Sequence, residues 1–192
     1  QDSAATGSDG STPRTLNVTG TGKVSLTPDI AYISIGVHTE GANASQAVAE
    51  NNSQTQKVVD ALKSAGVAEK DIKTTNFSIY PQQKFDDKGQ PTGEVIYMVD
   101  NTVYVTLRDI SKVGEILDSA VKAGANNIYG IQFDVADTTE AVSEARKLAV
   151  ENAEIAAKEL ATASGVTLGP IQTINSYGGG VPVPYSMGKG GG

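Results

Sequence analysis

Residues 99–108 read VDNTVYVTLR. Val99, Val103, Val105 and Leu107 share one parity, while Asp100, Thr102, Tyr104, Thr106 and Arg108 share the other. Side chains alternate across a strand, so this stretch predicts a strand with one apolar face and one polar face. Residues 31–38, AYISIGVH, repeat the pattern: Ala31, Ile33, Ile35 and Val37 alternate with Tyr32, Ser34, Gly36 and His38. Two half-buried strands of this kind call for a sheet covered by other elements on one face.

Reading outward supplies the cover. Leu16, Val18, Val24 and Leu26 alternate with polar residues and predict a first strand from Thr15, broken by Pro28-Asp29 and joined to residues 31–38 by a hairpin-like connection. Asn43 with Gln46 predicts a capped helix from about Ala44 to Ala65, with Val48, Thr55, Val58, Leu62 and Ala65 inward and Gly66 as its stop. A third strand is expected from Ile72 to Pro81, a polar loop from Gln82 to Thr92, and then the strand that ends near Arg108. A second helix after Asp109 carries Val113, Leu117, Ala120 and Val121 and stops at Gly124. A fifth strand follows from Asn127 to Ala136. Asp137 and Glu140 suggest the cap of a long helix to about Ser164, with Ala141, Ala145, Leu148, Ala149, Ile155, Ala156 and Leu160 as its stripe. Gly165 ends it, and Ile171 to Ser176 is a last strand. The expected fold is α+β in the order ββαββαβαβ, with helices on one face of a mixed or mostly antiparallel sheet. It occupies residues 15–177, after a flexible segment 1–14 and before a Gly/Pro-rich tail 178–192.

Composition narrows the functions. The chain has 192 residues, 39% hydrophobic and 19% charged, enough to bury a core. Its net charge of -7 disfavours nucleic acid and anionic membrane surfaces as partners. It has no cysteine, which removes disulfides and thiolate chemistry. No apolar run reaches the roughly 20 residues that span a bilayer. The first residue is Gln1, as in a processed precursor or a trimmed chain, and the small polar leader would suit an exported protein held off a membrane anchor.

Chemical motifs are few. His38 is the only histidine, and Ser34 lies four residues along the same strand, roughly 13 Å away, so the two cannot act as nucleophile and base. His38 reads as a strand residue, with pH sensing at an interface a lesser option. Gly20-Thr-Gly22 lacks a third glycine and precedes a strand, unlike a dinucleotide fingerprint. Gly188-Lys189 lacks the loop glycine and hydroxyl of a P-loop. Asp86-Asp87 and the Asp134/Asp137 pair match no calcium loop, and Asp137 is better read as a cap. Glu144 to Glu159 with nearby lysines reads as a solvated helix face. No catalytic, cofactor or metal residues are expected. Tyr32, Tyr80 and Tyr104, on the polar side of three strands, are the candidate contact residues, since tyrosine joins apolar area to a polar tip.

Several segments together resemble one family. They are Val18-Thr-Gly20-Thr-Gly22-Lys-Val24, Thr27-Pro28-Asp29-Ile-Ala31, Asp71-Ile72-Lys-Thr74 with Ser78-Ile79-Tyr80-Pro81, Asn101 to Asp109, Ala123-Gly124-Ala125-Asn126, and Ala145-Arg146-Lys-Leu-Ala149. The ensemble, from about residue 16 to 177, is similar to SIMPL-domain proteins. The resemblance implies an exported bacterial protein of the periplasmic immunogenic or oxidative-stress-defence type. It also implies a capacity for ring-like or channel-like oligomers, and it brings no established catalytic residues. Family members continue into a closing strand after the Pro-rich segment, whereas this chain ends at Gly192. The leading expectation is a non-enzymatic, self-assembling envelope or secreted protein. The second is a monomeric or dimeric adaptor for a protein or small envelope ligand, and the third, an unrecognised hydrolase, has little residue support.

Overall fold

The computed structural model describes residues 14–178. These fall into two compact units, Thr27–Ala136 and a second made of residues 14–26 and 137–178. The leader up to residue 13, the tail from residue 179 and Gly188-Lys189 lie outside the described residues.

The first unit is an α+β sandwich of two layers. Its elements are β1 (Ile30–Gly41), α1 (Ala44–Ser64), β2 (Ile72–Phe85), β3 (Pro91–Leu107), α2 (Val113–Ala123) and β4 (Asn127–Asp134), with short 3-10 turns at Glu69–Asp71 and Ile110–Lys112. The sheet runs β2-β3-β1-β4, and every pair is antiparallel. The alternation read in the sequence decides which face is covered. Ala31, Ile33, Ile35 and Val37 of β1 join Val103, Val105 and Leu107 of β3 in one core with Val58 and Leu62 of α1 and Ile116 and Ala120 of α2.

Local chemistry fixes the helix ends. Asn43 Oδ1 accepts from the Ser45 and Gln46 backbone N–H groups at 2.9 and 3.2 Å, satisfying two donors that the first turn leaves free. After α1 the chain turns through Gly66 at φ +97°, which a side chain would resist. The buried stripe of α1 is Ala47, Asn51, Thr55, Val58 and Leu62, so Val48 and Ala65 are displaced from the expected stripe to half-buried positions. Asn51 is the unexpected member. Its Nδ2 donates to the carbonyls of Val37 and Val99, both at 3.0 Å, bolting the helix to two strands. Removing that amide would strand two buried acceptors, at about 1–3 kcal/mol each. In α2 the buried positions are Ile116 and Ala120, while the expected Val121 is exposed.

The expected loop from Gln82 to Thr92 is mostly strand. The ladder continues through Gln82↔Ile96, Gln83↔Val95 and Phe85↔Pro91, leaving only a turn held by Asp86, whose Oδ1 accepts from Lys88 and Gln90 backbone N–H. Ladder bonds are made by the backbone, so polar side chains do not interrupt a ribbon whose two faces are exposed.

The second unit contains α3 (Thr139–Ala163) and two extended segments. The expected Asp137–Glu140 cap of α3 does not form: Thr138 holds the cap position without a side-chain bond, and Asp137 Oδ1 accepts from Thr139 N–H at 2.8 Å just ahead of it. Residues 14–26 form no ladder, correcting the first expected strand. Their alternation is real, but the surface they meet is a helix. Val18, Gly20 and Gly22 are half-buried. A Cβ on Gly20 would overlap the Ala149 carbonyl oxygen, and one on Gly22 the Ala145 carbonyl oxygen. Asn152 Nδ2 donates to Thr21 O at 2.7 Å, replacing a ladder bond. Gly20-Thr-Gly22 is therefore a helix-packing element. On α3 the buried positions are Ala157 and Ala161, and the expected Ile155 and Leu160 are exposed. Ile171 to Ser176 also forms no ladder, so two of the six expected strands are extended chain and the order is βαββαβα. The α+β class and the antiparallel sheet with helices on one face stand.

Candidate interaction face

The face of the sheet opposite α1 and α2 carries the even-numbered side chains of β1 and β3. Register places Tyr32 opposite Thr106, Ser34 opposite Tyr104 and His38 opposite Asp100. Tyr32 and Tyr104 are thus diagonal neighbours, and their rings stack with centroids 5.6 Å apart at 20°. Burial of Tyr104 raises its phenol pKa, with the neighbouring Tyr32 adding to the effect. Tyr129 of β4 enters over Gly36, where an added Cβ would come within 2.8 Å of its ring. Tyr32, Ser34, Tyr104, Tyr129, Gly130 and Gln132 border a shallow cleft of about 250 Å³, smaller than typical small-molecule pockets of ~300–1,000 Å³.

Tyr80 lies on the same face but apart from the stacked pair. Its hydroxyl donates to Asp100 Oδ2 at 3.2 Å, and Asp100 Oδ1 lies 2.7 Å from His38 Nδ1. His38 Nε2 faces Glu40 Oε1 at 3.5 Å. The His38 backbone is held by Asn126, which accepts from its N–H at 2.8 Å and donates to its carbonyl at 2.7 Å. The hydrogen bond to Asp100 raises the His38 pKa, burial opposes it, and Glu40 assists. The Asp100 charge in turn holds the Tyr80 phenol above its ordinary range. Both imidazole nitrogens point at carboxylates, which favours the cation. Among the described residues no hydroxyl or thiol is hydrogen-bonded to the ring.

The sequence brings Tyr32 and Tyr104 together as candidates but misses the His38–Asp100–Tyr80 link, which depends on cross-strand register. Asp134 Oδ1 accepts from its neighbour Val135 N–H and Asp137 Oδ1 from Thr139 N–H, both at 2.8 Å. No group of three metal-ligating side chains occurs among the described residues. A hollow of about 510 Å³ is bordered by Ser143, Arg146, Lys147, Val150, Glu151 and Glu154 of α3, the side of one helix without opposing walls.

The two sheet edges differ in chemistry. On β2, Pro81 offers no N–H, bulges fall at Thr74/Asn76 and Gln83/Phe85, and Lys73 and Lys84 add charge. These devices discourage edge-to-edge pairing. β4 reads NIYGIQFD, with no proline or lysine and a single charge at Asp134. Ile128, Tyr129, Ile131 and Phe133 are exposed on it. Its one irregularity is a bulge at Tyr129, between Ile128 and Gly130, beyond which Gly130 to Asp134 stay in unbroken register with β1.

The 26 kDa periplasmic immunogenic protein of Brucella melitensis biotype 1 is 34% identical over 181 residues, 92% of this chain and 72% of that one. The protein YggE of Edwardsiella ictaluri, described as uncharacterized, is 34% identical over 160 residues, 82% of this chain and 66% of that one. Its Escherichia coli K12 counterpart is 33% identical over 161 residues, 82% and 63% of the two chains. The chain thus spans slightly less than two thirds of the YggE proteins it matches. Among the described residues no helix is long and apolar enough to cross a membrane. Residues 16–191 match the family described as "SIMPL: Protein of unknown function (DUF541)", and the chain belongs to that family.

Proposed function

We propose that this protein is a non-catalytic, extracytoplasmic protein that assembles with copies of itself into a larger scaffold. The observation that carries the reading is the β4 edge, which no other strand pairs among the described residues and which is flanked by exposed Ile128, Tyr129, Ile131 and Phe133, on a sheet whose other edge is guarded. The Tyr32–Tyr104 stack adjoins that edge through Tyr129 and supplies aromatic contact area to the same interface. Relatives named periplasmic support a location outside the cytoplasm. The adaptor alternative is favoured less, because the cleft beside the tyrosines is small and open.

Absolute mass by size-exclusion chromatography with light scattering tests the reading. The expected result is a discrete particle several times the 19.8 kDa chain. Ile131→Lys should reduce it to monomer with an unchanged circular-dichroism spectrum. Tyr32→Ser combined with Tyr104→Ser should weaken the particle without unfolding the chain, and an unchanged mass would remove the tyrosine face from the interface. A native chain that runs as a clean monomer at all accessible concentrations would overturn the proposal.

A further inference from the structure

We infer that the occupant of the β4 edge is the segment Ile171–Tyr177 of a second copy of this chain, added as an extra strand. The inference rests on the self-assembly reading above and names the contact that performs it.

Ile171–Tyr177 reads IQTINSY, rich in residues that favour strands and free of charge. Among the described residues it forms no ladder and makes no backbone–backbone hydrogen bond. Its apolar side chains are open: Ile171 is 62% exposed, Ile174 63% and Tyr177 90%. A stretch with strand chemistry and solvated backbone gains hydrogen bonds and apolar burial only by joining an edge.

The described residues offer two sheet edges and two extended segments, and the chemistry selects one of each. The β2 edge carries Pro81, two bulges and lysines, so an incoming strand would lose ladder bonds there. The β4 edge, 8 residues long, is nearly matched in length by the segment. It has a single bulge, at Tyr129, no proline and no lysine, and Gly130 to Asp134 keep a continuous register with β1 along which a strand can add. Residues 14–26 are already engaged, with Gly20 and Gly22 against α3 and Thr21 O bonded by Asn152. Ile171–Tyr177 has no such engagement. With one charge at Asp134 and none on the segment, neither side repels the other.

The chain has no cysteine, so placed thiols report contacts without background. Ile131→Cys and Thr173→Cys chains are made separately, one with a mass tag, mixed under assembly conditions and treated with a short bismaleimide. The expected product is the mixed dimer, linking the edge thiol of one variant to the segment thiol of the other, in large excess over either homodimer. A dominant homodimer of the Ile131→Cys chain would mean symmetric pairing of two β4 edges and would overturn the inference. So would an absence of cross-links in a particle whose mass shows that it has assembled; in both cases the self-assembly reading survives. A chain carrying both substitutions that cross-links within itself at monomer mass would overturn it as well, since the segment would then serve its own edge. If light scattering finds only monomer, the self-assembly reading fails first and this inference with it.

Discussion

His38 sits between two carboxylates, with Asp100 at 2.7 Å and Glu40 at 3.5 Å, while Tyr80 approaches Asp100 from β2. Its folded pKa is raised above the ordinary value, first through the Asp100 hydrogen bond. A raised folded pKa means that protonation favours the folded state. The stabilisation is fully present below the unfolded value, near 6.5, and is lost as pH rises through the folded value. An imidazole NMR titration should therefore place the midpoint above the ordinary one. The stability gap between the native chain and His38→Gln should shrink as pH moves from mildly acidic to mildly alkaline. A midpoint at or below the ordinary value would refute this. The pair is not legible in the sequence, because 62 residues separate His38 from Asp100 and only strand register brings them together. Asn51 is hidden for the same reason, its partners being carbonyls of two strands. Asn43 is legible, because a cap bonds backbone groups two or three residues away, whereas the cap position of α3 falls on Thr138 rather than Asp137.

Elements are easier to recognise than to pair. Alternation finds β1 and β3 because both bury one face in the core. In residues 14–26 the same alternation indicates extended chain, but of the expected inward residues only Val18 is half-buried while Leu16, Val24 and Leu26 are exposed, and periodicity does not state whether the covered side meets a strand or a helix. The glycines hold the missing clue, since close approach to the α3 backbone requires two positions without a Cβ. Gly22→Val should accordingly dislodge the segment. The expected cost is about 1–3 kcal/mol, as for other overpacked sites, read as faster protease cleavage within residues 14–26 while the sheet unit keeps its unfolding midpoint. Equal resistance in the variant would show that the segment is not held by that contact. The turn around Asp86 departs from expectation in the other direction. Polarity there suggests loop, yet two strands exposed on both faces need no apolar residues to keep their ladder.

For the whole molecule, an acceptor edge and a donor segment are different surfaces. The contact proposed between them is heterologous, so copies would add head to tail, and the object would close into a ring only if the rotation per copy divides a full turn; otherwise it would extend as a filament. Such growth has a polarity and two distinguishable ends. A chain carrying Ile131→Lys keeps Ile171–Tyr177 and loses its edge, so it can join one end and then accept no successor. Mixed into native chains as a minor fraction, it should lower particle mass more than in proportion to its share, acting as a chain terminator. A merely proportional decline would point to contacts made independently at each subunit. Under the proposed contact, the β4 edge makes this protein a monomer in the polymer chemist's sense, with a direction of growth and a specific way to stop it.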